Sequence, residues 1–389
     1  MTVGGFQTRV RLDDAEIFAA HEGGQLSVRG TLPVRDPHSL SVAYTPGVAT
    51  VSRAIAEDPS LAARYTWASR LVAVVTNGTA VLGLGDVGPA AALPVMEGKA
   101  ALFQRLAGLN AIPVVLDAPD IDDIVDVLVR LRPSFGAVCL EDVAAPDCFA
   151  LEERLKDVLD CPVMHDDQHG TAVAVLAGLR GACRVLGRSL EPSRVAVVGA
   201  GAAGIATAEL LLAAGVRDIT VLDSRGILLT GRNGLTPAKK ALAARTNPRG
   251  LRGGAAEALR DAEVVIGLSS STVSEEVAAT MAPGAIVFAL SNPVPELRPE
   301  LAARYAAVVG TGGSDFPNQI INTLASPGIF RGVLDAGARH ITTEMKLAAA
   351  DAIAEVARGD LAVDRIIPHS LDPRVVPAVA EAVVRTASP

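Results

Sequence analysis

The sequence predicts an α/β fold in two units, an N-terminal α/β domain followed by a dinucleotide-binding domain with a parallel sheet. Strand patterns alternate with helical patterns along most of the chain, as is typical of parallel sheets. A glycine-rich turn joins a strand pattern to a helical pattern within residues 194–215. A chain of 389 residues is longer than a single hydrophobic core usually accommodates. We place the domain boundary between residues 162 and 163, giving domains over residues 1–162 and 163–389.

In the first unit, apolar segments predict strands within residues 70–85, 112–118 and 135–144. Asn77-Gly78 interrupts the first segment and favours a β-hairpin there. Helical spacing predicts helices at residues 96–109, 120–131 and 146–159. The first 35 residues are mixed and Gly-rich, which is typical of a partly ordered arm.

In the second unit, residues 171–187 predict a long helix that is apolar nearly all round, which suits a buried position between the domains. After the glycine-rich turn, further strands are predicted at residues 218–226, 262–269, 285–293 and 306–312. The C-terminal part is predicted to be helical from about Thr342.

Composition excludes several classes of protein. The net charge is −8 and no run of Lys or Arg stands out, so we expect no nucleic-acid partner. The longest uncharged run, residues 277–295, is broken by Pro and Gly, so we expect no membrane span. The N-terminus lacks the apolar segment of a signal peptide. The cysteines have apolar settings and no paired spacing, which favours a reducing, cytoplasmic location: Cys139, Cys148, Cys161 and Cys183.

The glycine-rich turn has the spacing of a Rossmann-type dinucleotide site. Gly199, Gly201 and Gly204 form G-x-G-x-x-G between a predicted strand and a predicted helix. The glycines allow a tight turn, close approach of a pyrophosphate and close helix–strand packing. Ala202 and Ala203 complete the loop, and the helix that follows offers its N–H groups and positive dipole end to phosphates.

Asp223 ends the next predicted strand, where a carboxylate can bind the ribose hydroxyls. A carboxylate there repels a 2′-phosphate, which mildly favours NAD over NADP. Arg225 and Arg232 lie close enough in the sequence to offset that repulsion, so both cofactors remain open.

Acidic residues follow two predicted strands. Glu141 and Asp142 come after "AVCL", and Asp166 and Asp167 come after "CPVM". The carboxyl ends of parallel strands meet at one crevice, and clustered carboxylates favour a hard cation such as Mg²⁺ or Mn²⁺. The alternative is that these acids only cap the turns and helix that follow them.

His165 and His169 flank the two aspartates with i, i+4 spacing. On a helix this spacing suits zinc, but the extended approach indicates that His165 precedes the helix. We therefore favour hydrogen bonding or packing for both histidines.

Two further residues are candidates for proton transfer. Tyr44 stands before a Thr-Pro-Gly turn, where it could equally anchor the loop. Lys99 is predicted in the first turn of a helix that begins near Glu97. A lysine there opposes the helix dipole, which indicates a role other than helix stability, and a lysine of lowered pKa can be a general base.

Taken in order, these segments resemble the malic enzymes, specifically their short prokaryotic form. The matching stretches, from about Asp36 to the C-terminus, are "SVAYTPGVA", "GLGDVG", "PVMEGKAALF", "LEDVAAPDCFALEERL", "PVMHDDQHGTAVAVLAGL", "VVGAGAAG", "LSNPVPE" and "GSDFPNQIIN". The resemblance implies oxidative decarboxylation of (S)-malate to pyruvate and CO₂ with NAD or NADP and Mg²⁺ or Mn²⁺, decarboxylation of oxaloacetate, and a homodimer or homotetramer.

By position, the resemblance makes Tyr44 the general acid and Lys99 a substrate-binding general base. It also implies a catalytic supporting role for Asp166 beside the metal ligands Glu141, Asp142 and Asp167. Asparagines complete the implied site: Asn292 for substrate and cofactor, and Asn318 and Asn322 for substrate.

One position departs from the family pattern. The family usually has paired asparagines where this chain reads "PNQIIN", so Ile321 replaces the first of them and Asn322 matches the second. The alternatives at this stage are a malolactic-type enzyme or an oxaloacetate decarboxylase without net NAD(P)H release, and a non-catalytic dinucleotide sensor. Retention of Tyr44, Lys99 and the acids argues against the sensor.

Overall fold

The computed structural model describes residues 13–291 and 294–387 and contains one largely parallel sheet in each unit. The first unit holds helices α1 Asp14–His21, α2 Pro37–Ala43, α3 Val48–Glu57, α4 Ala62–Tyr65, α5 Pro89–Leu102, α6 Ile121–Leu131 and α7 Asp147–Val158. Its strands are β1 Leu71–Thr76, β2 Asn110–Val115, β3 Ala137–Leu140 and β4 Val163–His165.

The second unit contains helices α8 Asp166–Leu186, α9 Ala202–Ala213, α10 Pro237–Ala243, α11 Ala255–Leu259, α12 Glu275–Ala278, α13 Pro299–Ala302, α14 Ser326–Ala336, α15 Thr343–Val356 and α16 Val375–Ala387. Its strands are β5 Arg194–Val198, β6 Asp218–Asp223, β7 Gly226–Ile227, β8 Val264–Gly267, β9 Ala285–Ala289 and β10 Ala306–Thr311. The α/β prediction is confirmed.

The first sheet is parallel throughout, in the order β2-β1-β3-β4. β1 and β3 are buried along their whole length, which explains their unbroken apolar sequences. Because the strands run in one direction, the residues after β3 and β4 emerge at the same edge. This edge carries the acidic residues.

The second sheet has the order β10-β9-β8-β5-β6-β7. The strand order is that of a doubly wound dinucleotide-binding sheet, except that β7 is a two-residue strand antiparallel to β6. Its order reverses between β5 and β8, so the crevice at their carboxyl ends lies beside the start of α9.

Helix α8 carries the chain from one sheet to the other and is buried along most of its length. β4 begins at the predicted boundary between residues 162 and 163, yet it completes the first sheet. The change of sheet therefore falls within α8. Among the described residues, no helix has both the length and the apolar character needed to cross a membrane.

Two local predictions are wrong. Asn77-Gly78 does not close a hairpin: β1 ends at Thr76, and the following loop makes only an isolated bridge between Val81 and Gly85. The loop instead folds over the acidic edge, where the Ala80 N–H donates to the Asp142 carbonyl at 3.0 Å.

The helix that carries Lys99 begins at Pro89 rather than near Glu97. Lys99 therefore lies in its last turn, where the helix dipole favours a cation. The position of Lys99 on its helix is therefore favourable and does not by itself indicate a functional role. Its contacts with acidic residues do.

Candidate active site

The acidic edge of the first sheet holds five charged residues that we call the carboxylate cluster: Lys99, Glu141, Asp142, Asp166 and Asp167. Lys99 Nζ lies 3.1 Å from Glu141 Oε1 and also pairs with Asp166. The Asp142 N–H donates to Asp167 Oδ2 at 2.9 Å. The turn after β3 and the start of α8 are thus joined, as the strand-end argument predicted.

The lysine of this cluster is almost fully buried, at 8% exposure. Burial opposes its charge, but Asp166 and Glu141 outweigh that effect and raise the pKa of Lys99 well above its ordinary value. Without a bound cation, Lys99 is therefore an ammonium. A cation on the same carboxylates would weaken their pull on its proton.

The cluster contains four carboxylates and one lysine, all close to the same edge. Burial, reinforced by neighbouring acids, raises the pKa of Glu141 well above its ordinary value and that of Asp142 to about 7. Asp142 Oδ2 is buried and finds no hydrogen-bond donor among the described residues. Asp142 also has a left-handed φ of 53°, which is costly for a residue other than glycine. Strained, crowded oxygens fit a divalent cation of the Mg²⁺ or Mn²⁺ type.

Among the described residues, the potential ligand atoms that lie within 4.8 Å of one another belong to Cys139, Glu141 and Asp166. Sequence analysis named Cys139 only as a buried thiol and did not place it beside the acids; its position on β3, two residues before Glu141, was the available signal. Burial raises the pKa of its thiol well above the ordinary value, so it remains protonated and is a poor ligand. Its Sγ lies 3.9 Å from Glu141 Oε2.

Asp166 is held from two further sides that the sequence did not reveal. Ser326 at the start of α14 contacts it, and both residues are fully buried. A Cβ at Gly170 would collide with the Asp166 carboxylate and would lie 2.9 Å from the Asn322 Cβ. The absence of a side chain at Gly170 thus leaves room for both Asp166 and Asn322.

A cavity of about 610 Å³ opens at the glycine-rich turn. Gly199 has a φ of 118°, and a side chain there would collide with the Leu268 carbonyl. Gly201 borders the cavity, and nothing lies within 4 Å of a Cβ built on it, so a phosphate can approach the backbone. Ala202 and Ala203 begin α9 as predicted, and Gly204 packs against the turn.

The floor of this cavity includes Asp223, as predicted. Its Oδ2 accepts from Arg232 at 2.5 Å and from Lys239 at 2.8 Å. Although burial opposes its charge, these two cations hold the pKa of Asp223 at about 2. Lys239, which sequence analysis missed, also lines the cavity. Arg225 uses its backbone N–H, which donates to Asp223 Oδ1 at 2.9 Å.

Other predicted residues fare differently. Tyr44 ends α2 with 68% of its surface exposed, and no hydrogen bond joins its side chain to the carboxylate cluster in the part of the chain that is described. Asn318 is structural: its amide group donates to the Val309 and Val363 carbonyls and accepts from the Ile366 N–H, each at 2.9 Å. These backbone contacts engage its amide, and its substrate role stays an untested prediction. Asn292 lies outside the described residues.

The two histidines contact a second buried group. We call it the Glu152 network and define it as Glu152, Lys156, His169 and Lys346; His165 contacts it through its backbone N–H. Glu152 accepts from the His165 N–H and from His169 Nε2, each at 2.9 Å, and Lys346 Nζ lies 3.0 Å from His169 Nδ1. Both ring nitrogens of His169 are thus engaged, which excludes the zinc alternative and supports the predicted hydrogen-bonding role.

The fold and the site together define a two-domain dinucleotide-binding enzyme with a buried acid–lysine centre. Family models match both parts of the chain: "Malic enzyme, N-terminal domain" at residues 25–156 and "Malic enzyme, NAD binding domain" at residues 168–388. The chain belongs to the malic enzyme family. The predicted family, enzyme class and dinucleotide use are confirmed.

Individual relatives agree. The chain is 50% identical to the bifunctional malic/malolactic enzyme of Bacillus subtilis over 94% of this chain and 90% of the relative. It is 49% identical to the NAD-dependent malic enzyme of Geobacillus stearothermophilus, over 95% and 78% respectively. The crystal structure of an NAD-dependent malic enzyme from Thermotoga maritima superposes with a TM-score of 0.91 at 40% identity, covering 96% of this chain and 99% of that one.

Proposed function

We propose that this chain converts (S)-malate to pyruvate and CO₂, reduces NAD⁺ or NADP⁺, and needs Mg²⁺ or Mn²⁺. The observation that carries the proposal is the buried Lys99 among four carboxylates, beside a cavity suited to a dinucleotide. The reaction needs a proton acceptor next to a site of concentrated negative charge that can hold a cation. The carboxylate cluster supplies both.

Glu141, Asp142 and Asp167 are the proposed metal ligands, because they offer carboxylate oxygens at one edge and are short of cations. When bound, the divalent cation supplies positive charge that polarises the malate C2 oxygen, and the nicotinamide accepts the hydride from C2. In this structure Asp167 accepts the Asp142 N–H, which holds two of the ligands together.

Lys99 is the proposed proton carrier. Its amine takes the proton of the C2 hydroxyl as C2 is oxidised, and it returns a proton to the same oxygen after CO₂ has left. Asp166 pairs with Lys99 and fixes the position of its amine. Because Asp166 and Glu141 raise the pKa of Lys99, they hold its amine protonated; a divalent cation on the same carboxylates would weaken their pull on that proton. Asn322 is the proposed substrate contact beside Asp166.

Tyr44 remains the proposed acid that protonates C3 of the enol, while the enol hydroxyl gives its proton back to Lys99 to complete pyruvate. Tyr44 is 68% exposed, so this role requires another part of the protein or a second copy of the chain to shield its side chain from solvent. Large apolar side chains are also exposed along residues 40–67 of the N-terminal helices and loops: Leu40, Val42, Val48, Val51, Tyr65 and Trp67. A surface of this kind favours self-association, so we propose a homodimer or homotetramer that encloses Tyr44.

The proposed cofactor preference is weaker than the aspartate alone suggested. Arg232 and Lys239 neutralise Asp223, so its repulsion of a 2′-phosphate is reduced. We propose that the chain accepts both NAD and NADP. All four cysteines are buried free thiols, which supports a reducing, cytoplasmic location.

A steady-state assay with malate tests the reaction, with NAD⁺ compared to NADP⁺ and Mg²⁺ compared to Mn²⁺. Net formation of reduced dinucleotide with equal formation of pyruvate is expected. Lactate, or pyruvate from oxaloacetate alone, without reduced dinucleotide would support the malolactic or decarboxylase alternative. Dinucleotide binding without turnover would support the sensor.

A further inference from the structure

A second cavity, of about 360 Å³, lies between α8, α9 and α15, and we call it the α8 groove. Gln168 and Lys346 contribute polar groups to its lining, and Ala172, Ile205 and Leu210 contribute apolar surface. Its volume falls in the range of small-molecule sites. The reaction proposed above assigns none of these residues a role.

Gln168 is the strongest sign of a ligand. Its side chain is buried, at 4% exposure, and its Nε2 has no hydrogen-bond acceptor among the described residues. A buried amide donor without an acceptor costs on the order of 1–3 kcal/mol. Gln168 lines the groove, so a turn of its buried amide would bring Nε2 to an acceptor atom of a ligand and recover that loss.

Lys346 adds a charge to the same cavity. It is 9% exposed, and its hydrogen bond to His169 Nδ1 uses one of the three N–H groups of an ammonium. Thr343, in the first turn of the 14-residue helix α15, also lines the groove. The positive end of the helix dipole therefore lies beside the ammonium.

The groove has little negative charge of its own. Among its lining residues, Glu209 is the one acid, and it pairs with Arg245. The polar side thus offers donors and positive potential, while the α9 side offers hydrocarbon. This combination fits a planar anion carried on a short apolar body.

We infer that the α8 groove binds a small organic carboxylate. Its oxygens accept hydrogen bonds from Lys346 and Gln168, and its hydrocarbon part packs against Ile205 and Leu210. The occupant is linked to the carboxylate cluster, since Lys346 contacts His169, His169 contacts Glu152, and Glu152 holds the His165 N–H directly before Asp166. The inference does not depend on the reaction proposed above.

Saturation-transfer NMR with butanoate tests the site on the full chain. Mg²⁺, malate and dinucleotide are left out, so that butanoate has no divalent cation to bind in the proposed active site. The butanoate signal is expected to appear under these conditions, and Lys346→Met and Gln168→Glu are each expected to weaken binding at least tenfold. Lys240→Met removes an exposed lysine of α10 and serves as the matched control, which should bind as the unmodified chain does.

Gln168→Leu keeps the side-chain volume without adding charge, so it tests the amide donor if Gln168→Glu does not fold. Thermal melts check the folding of each variant. The inference is overturned by a signal that appears only when Mg²⁺ is added, by unchanged binding in the folded Gln168 and Lys346 variants, or by no binding at all. Binding of inorganic phosphate without butanoate overturns the assignment to a carboxylate.

Discussion

Four consecutive residues at the start of α8 divide between two buried groups of different character. Asp166 and Asp167 join the carboxylate cluster, which has four acids and one lysine. Gln168 borders the α8 groove, and His169 joins the Glu152 network, which has one acid and two lysines. One helix start thus separates a site with an excess of acids from one in which acids and lysines balance, because Lys156 also pairs with Glu153.

The pKa values differ in the corresponding way. In the carboxylate cluster, burial raises the pKa of Asp142 to about 7. In the Glu152 network, burial opposes the charge of Glu152, but His169 and the lysines outweigh this effect and lower the pKa of Glu152 far below its ordinary value. Burial lowers the pKa of Lys346 to about 8. The difference shows what each site lacks: positive charge beside the aspartates, and solvation of the ammonium group at Lys346.

The largest expected effect is on the single lysine of the carboxylate cluster. Lys99→Ala removes the proposed proton carrier, so kcat should fall by roughly 10²–10⁴-fold. Dinucleotide binding should persist, because the glycine-rich turn is untouched. Initial rates and dinucleotide titration measure the two effects, with Lys240→Ala as the exposed-lysine control. Near-normal turnover would remove Lys99 from the mechanism.

The two aspartates should separate in the next experiment. Asp167→Asn removes a proposed ligand and should weaken Mn²⁺ binding by about 10- to 100-fold, as loss of even an indirect ligand partner commonly does. Asp166→Asn should spare Mn²⁺ binding more and lower kcat through Lys99. Calorimetric Mn²⁺ titrations measure the first effect, and rates at saturating Mn²⁺ measure the second. The reverse ranking would exchange the roles of the two residues.

Much of the carboxylate cluster could be predicted from the sequence, because a residue that directly follows a strand is recognisable from the local sequence. Glu141 and Asp166 each directly follow an apolar strand, so the parallel-sheet rule brought them together before the structure was known. Gly199 and Asp223 were predictable for the same reason, because the strand, turn and helix that place them are contiguous.

What the sequence did not reveal depends on contacts between distant segments. Lys346 meets His169 from 177 positions away, and Ser326 reaches Asp166 from α14. Asn318 matched a motif, but its amide is occupied by backbone groups of distant strands and loops. The Asn77-Gly78 pair failed as a hairpin signal because β1 pairs with β2 and β3 rather than with the chain that follows it.

A smaller effect is expected from Lys346 on stability. Burial lowers its pKa from 10.5 to about 8, so between these values the unfolded chain holds more protons and a rise in pH favours the folded state. The cost of keeping Lys346 charged, about 3 kcal/mol below pH 8, is relieved as pH rises towards 10.5. Lys346→Met should abolish this part of the pH dependence.

Urea unfolding of the unmodified chain, Lys346→Met and Lys240→Met at about pH 7 and about pH 10 measures this contribution. The free-energy difference between the unmodified chain and Lys346→Met should shift in favour of the unmodified chain at the higher pH. Lys240→Met corrects for the general effect of removing one lysine. If the difference in unfolding free energy between the unmodified chain and Lys346→Met is equal at both pH values, burial does not lower the pKa of Lys346.

The smallest expected effect concerns Asp223, a carboxylate whose charge is matched by cations, unlike those of the carboxylate cluster. Lys239 both pairs with Asp223 and lines the dinucleotide cavity. Lys239→Ala should therefore restore repulsion of a 2′-phosphate and remove a charged donor, raising KM for NADP⁺ by about tenfold. KM for NAD⁺ should change less, because its ribose hydroxyls need only the carboxylate. Lys240→Ala, one position along α10, controls for helix stability, and equal changes in both KM values would show that Lys239 does not discriminate between the cofactors.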